Sequence, residues 1–131
     1  MGVTVGWDDD QQMIIRLSFS GVWTNVELRS AGLQSILMIR SVQHPVYVIS
    51  DFSSSENVPI GVLWQARELN QLRPSNWEAG ITVTQDVFLK NMLELFGLIY
   101  MMGRHRRLYV VRTLKEAYKL IDKLKQDKLV I

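Results

Sequence analysis

The chain contains no cysteine, which excludes disulfide bonds and any thiolate nucleophile or metal ligand. Histidine is scarce: His44 and His105 are the only two in 131 residues, so few groups are available to serve as a neutral-pH general base or a zinc ligand. No apolar run approaches the roughly 20 residues of a membrane span. The opening stretch, MGVTVGWDDD, lacks the basic start and apolar core of a signal peptide. Net charge is only +2, too small for the electrostatic footprint of a nucleic-acid-binding chain. A glycine-rich phosphate loop is missing as well. Together these absences predict a cytoplasmic protein with no membrane span, no nucleic-acid partner, no metal and no cofactor.

What is present fits an ordinary globular chain, 47% hydrophobic and 21% charged, and we expect one domain over residues 1–131. Charge is unevenly spread. Residues 1–103 carry six Lys/Arg against ten Asp/Glu, and residues 104–131 carry nine against three, so the C-terminal quarter is basic. Val3, Val5 and Trp7 alternate with smaller residues, and Met13, Ile15, Leu17 and Phe19 do so after an acidic turn, which predicts a hairpin. Thr24 and Glu27 form a capping-box pattern opening a helix to about Arg40, with Val26, Leu33, Ile36, Leu37 and Ile39 as its apolar surface. PVYVIS at 45–50 is apolar and β-branched, a strand buried on both faces. Val62, Leu63, Ala66 and Leu69 recur at helical spacing, in a helix ending near Pro74. GITVT at 80–84 is the next strand, followed by a helix capped by Asp86 and running to about Met102. LYVV at 108–111 is the last strand, and Thr113 with Glu116 opens a closing helix whose inner face carries Leu114, Ala117, Tyr118, Ile121 and Leu124. The order β-β-α-β-α-β-α-β-α predicts an α/β fold with a mixed, mostly parallel sheet, an antiparallel N-terminal strand and packed helices.

Four strand-helix units after an antiparallel first strand resemble the STAS and SpoIIAA-like domains of anti-sigma-factor antagonists. The likeness runs over nearly the whole chain and is carried by LSFSGVWTNVELRSA, PVYVISDFS and RLYVVRTLKEAYKLI. In antagonists of that family, a serine at the start of the helix after the third strand, in an Asp-Ser-Ser/Thr-Gly pattern, is a phosphorylation switch. The resemblance therefore implies regulation through protein contact, with Asp51, Ser53 and Ser54 as the candidate phospho-switch or ligand loop. This sequence departs from the pattern, because Phe52 interrupts it, the first glycine waits until Gly61, and Pro59 sets the helix start well beyond the serines. A phosphate on Ser53 would miss the helix amides that favour an anion. The plainer reading is an extended βα loop in which Asp51 bonds its own backbone two residues on.

Catalysis finds little support. His44 precedes Pro45 at the far end of a strand from Ser53, and six residues of strand span about 20 Å, too far for a triad. Arg104, Arg106 and Arg107 form the densest positive cluster and are a candidate anion patch. Their plainer role is to favour the C-terminal end of the preceding helix. The largest surplus is apolar: VFLKNMLELFGLIYMM at 87–102 covers more than the single stripe a sheet-packed helix needs. Trp64, Phe88, Met92, Leu95, Phe96 and Ile99 are the candidate interaction or pocket surface.

We therefore expect a non-enzymatic regulatory or protein-interaction module, working through a protein partner or as a homodimer. The alternative is a binder of a small amphiphilic or lipid-like molecule in an apolar pocket beside the 87–102 helix.

Overall fold

A computed structural model describes residues 2–100 and 107–129, with side chains described for 2–95 and 107–128. Its elements follow the expected order: β1 (Gly2–Trp7), β2 (Ile14–Gly21), α1 (Asn25–Arg40), β3 (Val46–Ser55), α2 (Val62–Gln71), β4 (Trp77–Val83), α3 (Val87–Tyr100), β5 (Leu108–Val111) and α4 (Leu114–Leu129). The strands make one five-stranded sheet in the order β1-β2-β3-β4-β5. β1 is antiparallel to β2 and every other pair is parallel.

The β1-β2 turn is built by its acidic run. Asp9 Oδ1 accepts from the backbone of Met13 at 3.0 Å and of Ile14 at 2.9 Å, and Gln12 takes a left-handed φ of 56° as the chain reverses. Parallel neighbours in sequential order need crossovers of one hand, and this places α1, α2 and α3 together on one face of the sheet. The last helix, with no strand to follow, packs on the opposite face.

Both capping boxes form. Thr24 and Glu27 satisfy each other's backbone amides at the start of α1, and Thr113 and Glu116 do so at α4. The apolar stripe of α1 is narrower than expected. Leu28, Ala31, Gly32, Ser35, Ile36 and Ile39 are buried, whereas Val26 and Leu37 are exposed, because the helix meets the sheet along one line and α2 along a second. At that second line a Cβ on Gly32 would come within 2.6 Å of Leu69 Cδ1, so glycine lets α2 approach.

The two sheet faces are packed differently. On the α4 face, Tyr47, Ile49, Ala79, Ile81 and Val83 close on Ala117 and Ile121 in a cluster without exposed members. On the α1 face, Ile15, Leu17, Phe19, Trp23, Val46 and Val48 pack with Leu28, Ala31 and Ile39. This second core is tight beneath α1 and opens beneath α2 and α3.

Candidate functional site

The opening follows from strand alternation, since successive side chains point to opposite faces. In β4, Ala79, Ile81 and Val83 go to the α4 face, which leaves Gly80 and Thr82 for the other. In β3, Tyr47 and Ile49 go to α4, leaving Val48 and Ser50. Register places these small residues side by side: Ser50 pairs with Thr82, Val48 with Gly80, Thr82 with Val110 and Gly80 with Leu108. The middle of the sheet is thus lined by Ser, Gly and Thr on the face that α2 and α3 cross.

Accessibility follows the same division. Ile49, Ile81 and Val83 are sealed at 0%, 1% and 0% exposure, while Ser50, Gly80 and Thr82 on the same two strands, and Val110 on the edge strand β5, are only half-buried. Above them α2 has no buried residue. Its apolar face, Val62, Leu63, Ala66 and Leu69, looks into a cavity of about 790 Å³ that is walled by Leu28, Gly32 and Ile36 of α1 and by Leu89 and Leu93 of α3. Polar groups are few on this wall. Ser35, Ser50 and Thr82 contribute small hydroxyls, Glu94 lies on α3, and Asn70 and Arg73 stand at the C-terminal end of α2.

Arg73 is held from two sides. Its guanidinium lies 4.1 Å from the ring centroid of Trp77, and its Nη1 donates to Asn70 Oδ1 at 2.8 Å. Burial, with the nearby Arg107 guanidinium, pulls its pKa below the ordinary arginine value. Arg107 in turn meets Glu78 at 3.1 Å, and Lys128 reaches the same carboxylate at 2.9 Å.

Part of the serine stretch is architectural. The loop expected after Ser50 is shorter than predicted, because β3 continues to Ser55: beyond a register shift, Ser54 and Ser55 pair with Ser20 and Gly21 of β2. Phe52 stacks on Phe19 at 4.2 Å with an interplanar angle of 6°. Ser55 Oγ accepts from Trp23 Nε1 at 2.8 Å and donates to the Asn57 carbonyl at 2.7 Å. Asn57 then clasps the Trp23 backbone, accepting from its N–H at 3.0 Å and donating to its carbonyl at 3.1 Å. Asp51 bonds Ser53, taking its backbone N–H at 3.0 Å and its hydroxyl as well. Ser53 and Ser54 are exposed and sit on strand, ahead of the turn that leads to Gly61, the left-handed N-cap of α2 at φ 86°. A second, polar hollow of about 390 Å³ lies between this segment and the start of α3, with Ser53, Glu56, Asp86 and Arg112 on its walls.

The remaining candidates separate. Trp64, Phe88 and Leu95 are exposed at 61%, 72% and 57% and are not on the cavity wall, nor is the half-buried Met92. Leu89 and Leu93 take the pocket side of α3 instead. The side chains of Phe96 and Ile99 lie outside the described residues, as do Arg104, His105 and Arg106. Arg107, the described member of the basic cluster, is committed to Glu78. His44 sits at the start of β3 with Nδ1 3.1 Å from the Pro45 carbonyl, at the opposite end of the strand from Ser53. No helix among the described residues is long and apolar enough to cross a membrane.

The sequence signal for the cavity was the composition of alternate strand positions. Ser50, Gly80 and Thr82 all fall on one face, and reading the strands as uniformly apolar concealed them.

No protein-family model matches this chain, and no curated protein matches it. Among solved structures it is similar to an uncharacterised protein of the DUF3478 family with a SpoIIAA-like fold from Shewanella loihica PV-4, with a TM-score of 0.68 at 10% sequence identity, over 91% of this chain and 93% of that one. Such identity speaks to architecture alone, and on that ground the chain has the SpoIIAA-like fold.

Proposed function

We propose that this protein is a non-catalytic binding module that takes the apolar part of a small amphiphile into the cavity beneath α2 and α3. The observation that carries this reading is the unfilled floor: half-buried Ser50, Gly80 and Thr82 in the middle of a sheet that is sealed on its other face. A volume of about 790 Å³ falls within the range of roughly 300–1,000 Å³ in which small-molecule sites occur. The apolar walls suit a hydrocarbon chain, and α2, anchored on α1 at Gly32, is the element that would settle onto an occupant. Native mass spectrometry of the freshly purified protein tests the reading. A reproducible added mass, released on denaturation, supports it; a bare protein that also fails to take up an apolar fluorescent probe counts against it.

A second reading, a regulatory module acting through protein contact or self-association, is favoured by a different surface. Val87, Phe88 and Leu95 expose 68%, 72% and 57% of their area on α3, and a stripe of this kind on a soluble surface marks an interaction site. A dimer by light scattering that dissociates in Phe88→Asp supports this reading, and a monomer indifferent to that substitution in partner capture does not.

A further inference from the structure

We propose that the occupant of this cavity carries a neutral oxygen function, a ketone or ester carbonyl, part-way along its apolar chain, and that the hydroxyls of Ser50 and Thr82 hold that oxygen against the sheet. The inference rests on reading the cavity as a ligand site, and it concerns which molecules that site selects.

Three small hydroxyls stand on the cavity wall, and their situations differ. Ser35 is committed within α1, donating to the Gly32 carbonyl at 2.7 Å. The hydroxyls of Ser50 and Thr82 have no hydrogen-bond partner among the described residues. The two are also neighbours. They are register partners on adjacent parallel strands and point away from the sealed Ile49 and Ile81, so they rise side by side from the floor. Paired strands lie about 4.8 Å apart, and one oxygen above the midpoint of the pair comes within about 2.8 Å of both hydroxyls. A carbonyl oxygen has two lone pairs and each hydroxyl has one proton to donate, so a single such oxygen satisfies both.

The surroundings make the pair selective. Toward the start of β4 the floor is bordered by Trp77 and Leu108, which lie 3.0 and 3.1 Å from where a Cβ on Gly80 would stand. Toward the end of β3 it is bordered by Phe52, itself stacked on Phe19. A plain hydrocarbon laid over the pair would strip both hydroxyls of water and return no hydrogen bond. Alanine and valine would line the same space without that cost. What the two hydroxyls add is discrimination, because a site built to hydrogen-bond an oxygen rejects the analogue that lacks it.

The test uses two probes on the 131-residue chain. Dibutyl ketone is symmetric, so its oxygen sits mid-chain in either orientation, and diphenylhexatriene is a fluorophore with no polar atom. Ketone binding is read from its carbonyl-carbon NMR signal and fluorophore binding from emission. Ser50→Ala and Thr82→Val remove the hydroxyls with little change of shape. The wild-type protein is expected to bind the ketone with its carbonyl signal downfield of the position in hydrocarbon solvent, as hydrogen bonding shifts it. Each single variant should lose about threefold in ketone affinity and the double variant about tenfold, while fluorophore affinity stays within twofold. A bound carbonyl at its hydrocarbon position overturns the assignment, and so does a downfield signal with full affinity in the double variant, where water serves instead. Fluorophore binding without ketone uptake, or equal losses of both probes in the variants, also overturns it. Each of these results leaves the cavity reading standing. Failure of both probes to bind the wild-type protein overturns the cavity reading and this inference with it. The wild-type carbonyl signal does not depend on whether the variants fold.

Discussion

Filling the space beneath α2 and α3 from the sheet should stabilise the protein. Ser50 is the residue for the experiment, being on a central strand, half-buried, and paired with Leu17 on one side and Thr82 on the other. Ser50→Leu replaces a hydroxyl with an isopropyl group, roughly three carbons more, directed at the cavity floor. At about 0.8 kcal/mol per buried methylene the three added carbons would gain about 2.4 kcal/mol if fully buried. Leucine loses some rotamer freedom, and the site is not fully sealed, so about 1 to 2 kcal/mol is expected. For a chain of this size that corresponds to a midpoint rise of about 4 to 8 °C. Urea and thermal unfolding followed by circular dichroism give both numbers, and uptake of an apolar fluorescent probe should fall in the same variant. The neighbouring Ile49→Ala supplies the contrast. Ile49 points the other way, into the sealed α4 core at 0% exposure, and its truncation should cost about 2 to 5 kcal/mol. Should Ser50→Leu instead destabilise by more than about 1 kcal/mol, as overpacking does, the floor is already covered and the ligand-binding proposal loses its basis.

Other consequences follow from contacts away from the cavity. Asn57→Ala removes both hydrogen bonds to the Trp23 backbone and leaves a part-buried N–H and carbonyl unpaired. The expected loss is about 1 to 3 kcal/mol, measurable by urea unfolding, and a neutral result would mean that water replaces the clasp. Ser53→Ala and Ser54→Ala should be within about 0.5 kcal/mol of the parent, since both side chains are exposed. Tyr118 donates its hydroxyl to Asp8; burial first, then that bond and the Asp8 charge, push its pKa up to about 12. The folded state therefore holds this proton more tightly than the unfolded chain, where tyrosine titrates near 10. Stability from the contact should be whole below about pH 10 and disappear as pH rises through about 12. Ultraviolet titration of the parent against Tyr118→Phe should reveal one phenolate that forms late, and its absence would refute the assignment.

Much of this fold could be read directly because local and tertiary signals agree. The capping boxes at Thr24 and Thr113 start helices wherever their side chains can close on the next turn, and they did so here. Trp7 to Val3 and Ile15 to Phe19 alternate cleanly because the hairpin is packed on one face and wet on the other. The extension of β3 to Ser55 was not legible, since three serines carry no strand propensity of their own. What extends the strand is a remote partner: β2 continues far enough past a register shift to offer Ser20 and Gly21, and Trp23 offers an indole N–H to Ser55. Val26 and Leu37 differ for the converse reason, being apolar yet left exposed among the described residues.

The same logic explains why the eye-catching serines and the candidate site are different places. A polar cluster draws attention as chemistry, yet Ser55 and Asn57 spend their hydrogen-bonding capacity on Trp23, which fixes the segment in place. A binding cavity leaves a quieter mark, because it consists of what large side chains do not occupy. In β3 and β4 one strand carries two messages at once, Ile49, Ile81 and Val83 for a core that must close and Ser50, Gly80 and Thr82 for a surface that stays open. The helices over the open side are correspondingly the less embedded ones: α2 has no buried residue, whereas α4 inserts Ala117 and Ile121 completely. A helix that rests on its neighbour at Gly32 more than on the sheet can move relative to the sheet without breaking the opposite core. That asymmetry, one face closed and the other partly open, is why Ser50→Leu and Ile49→Ala, adjacent in sequence, should shift stability in opposite directions.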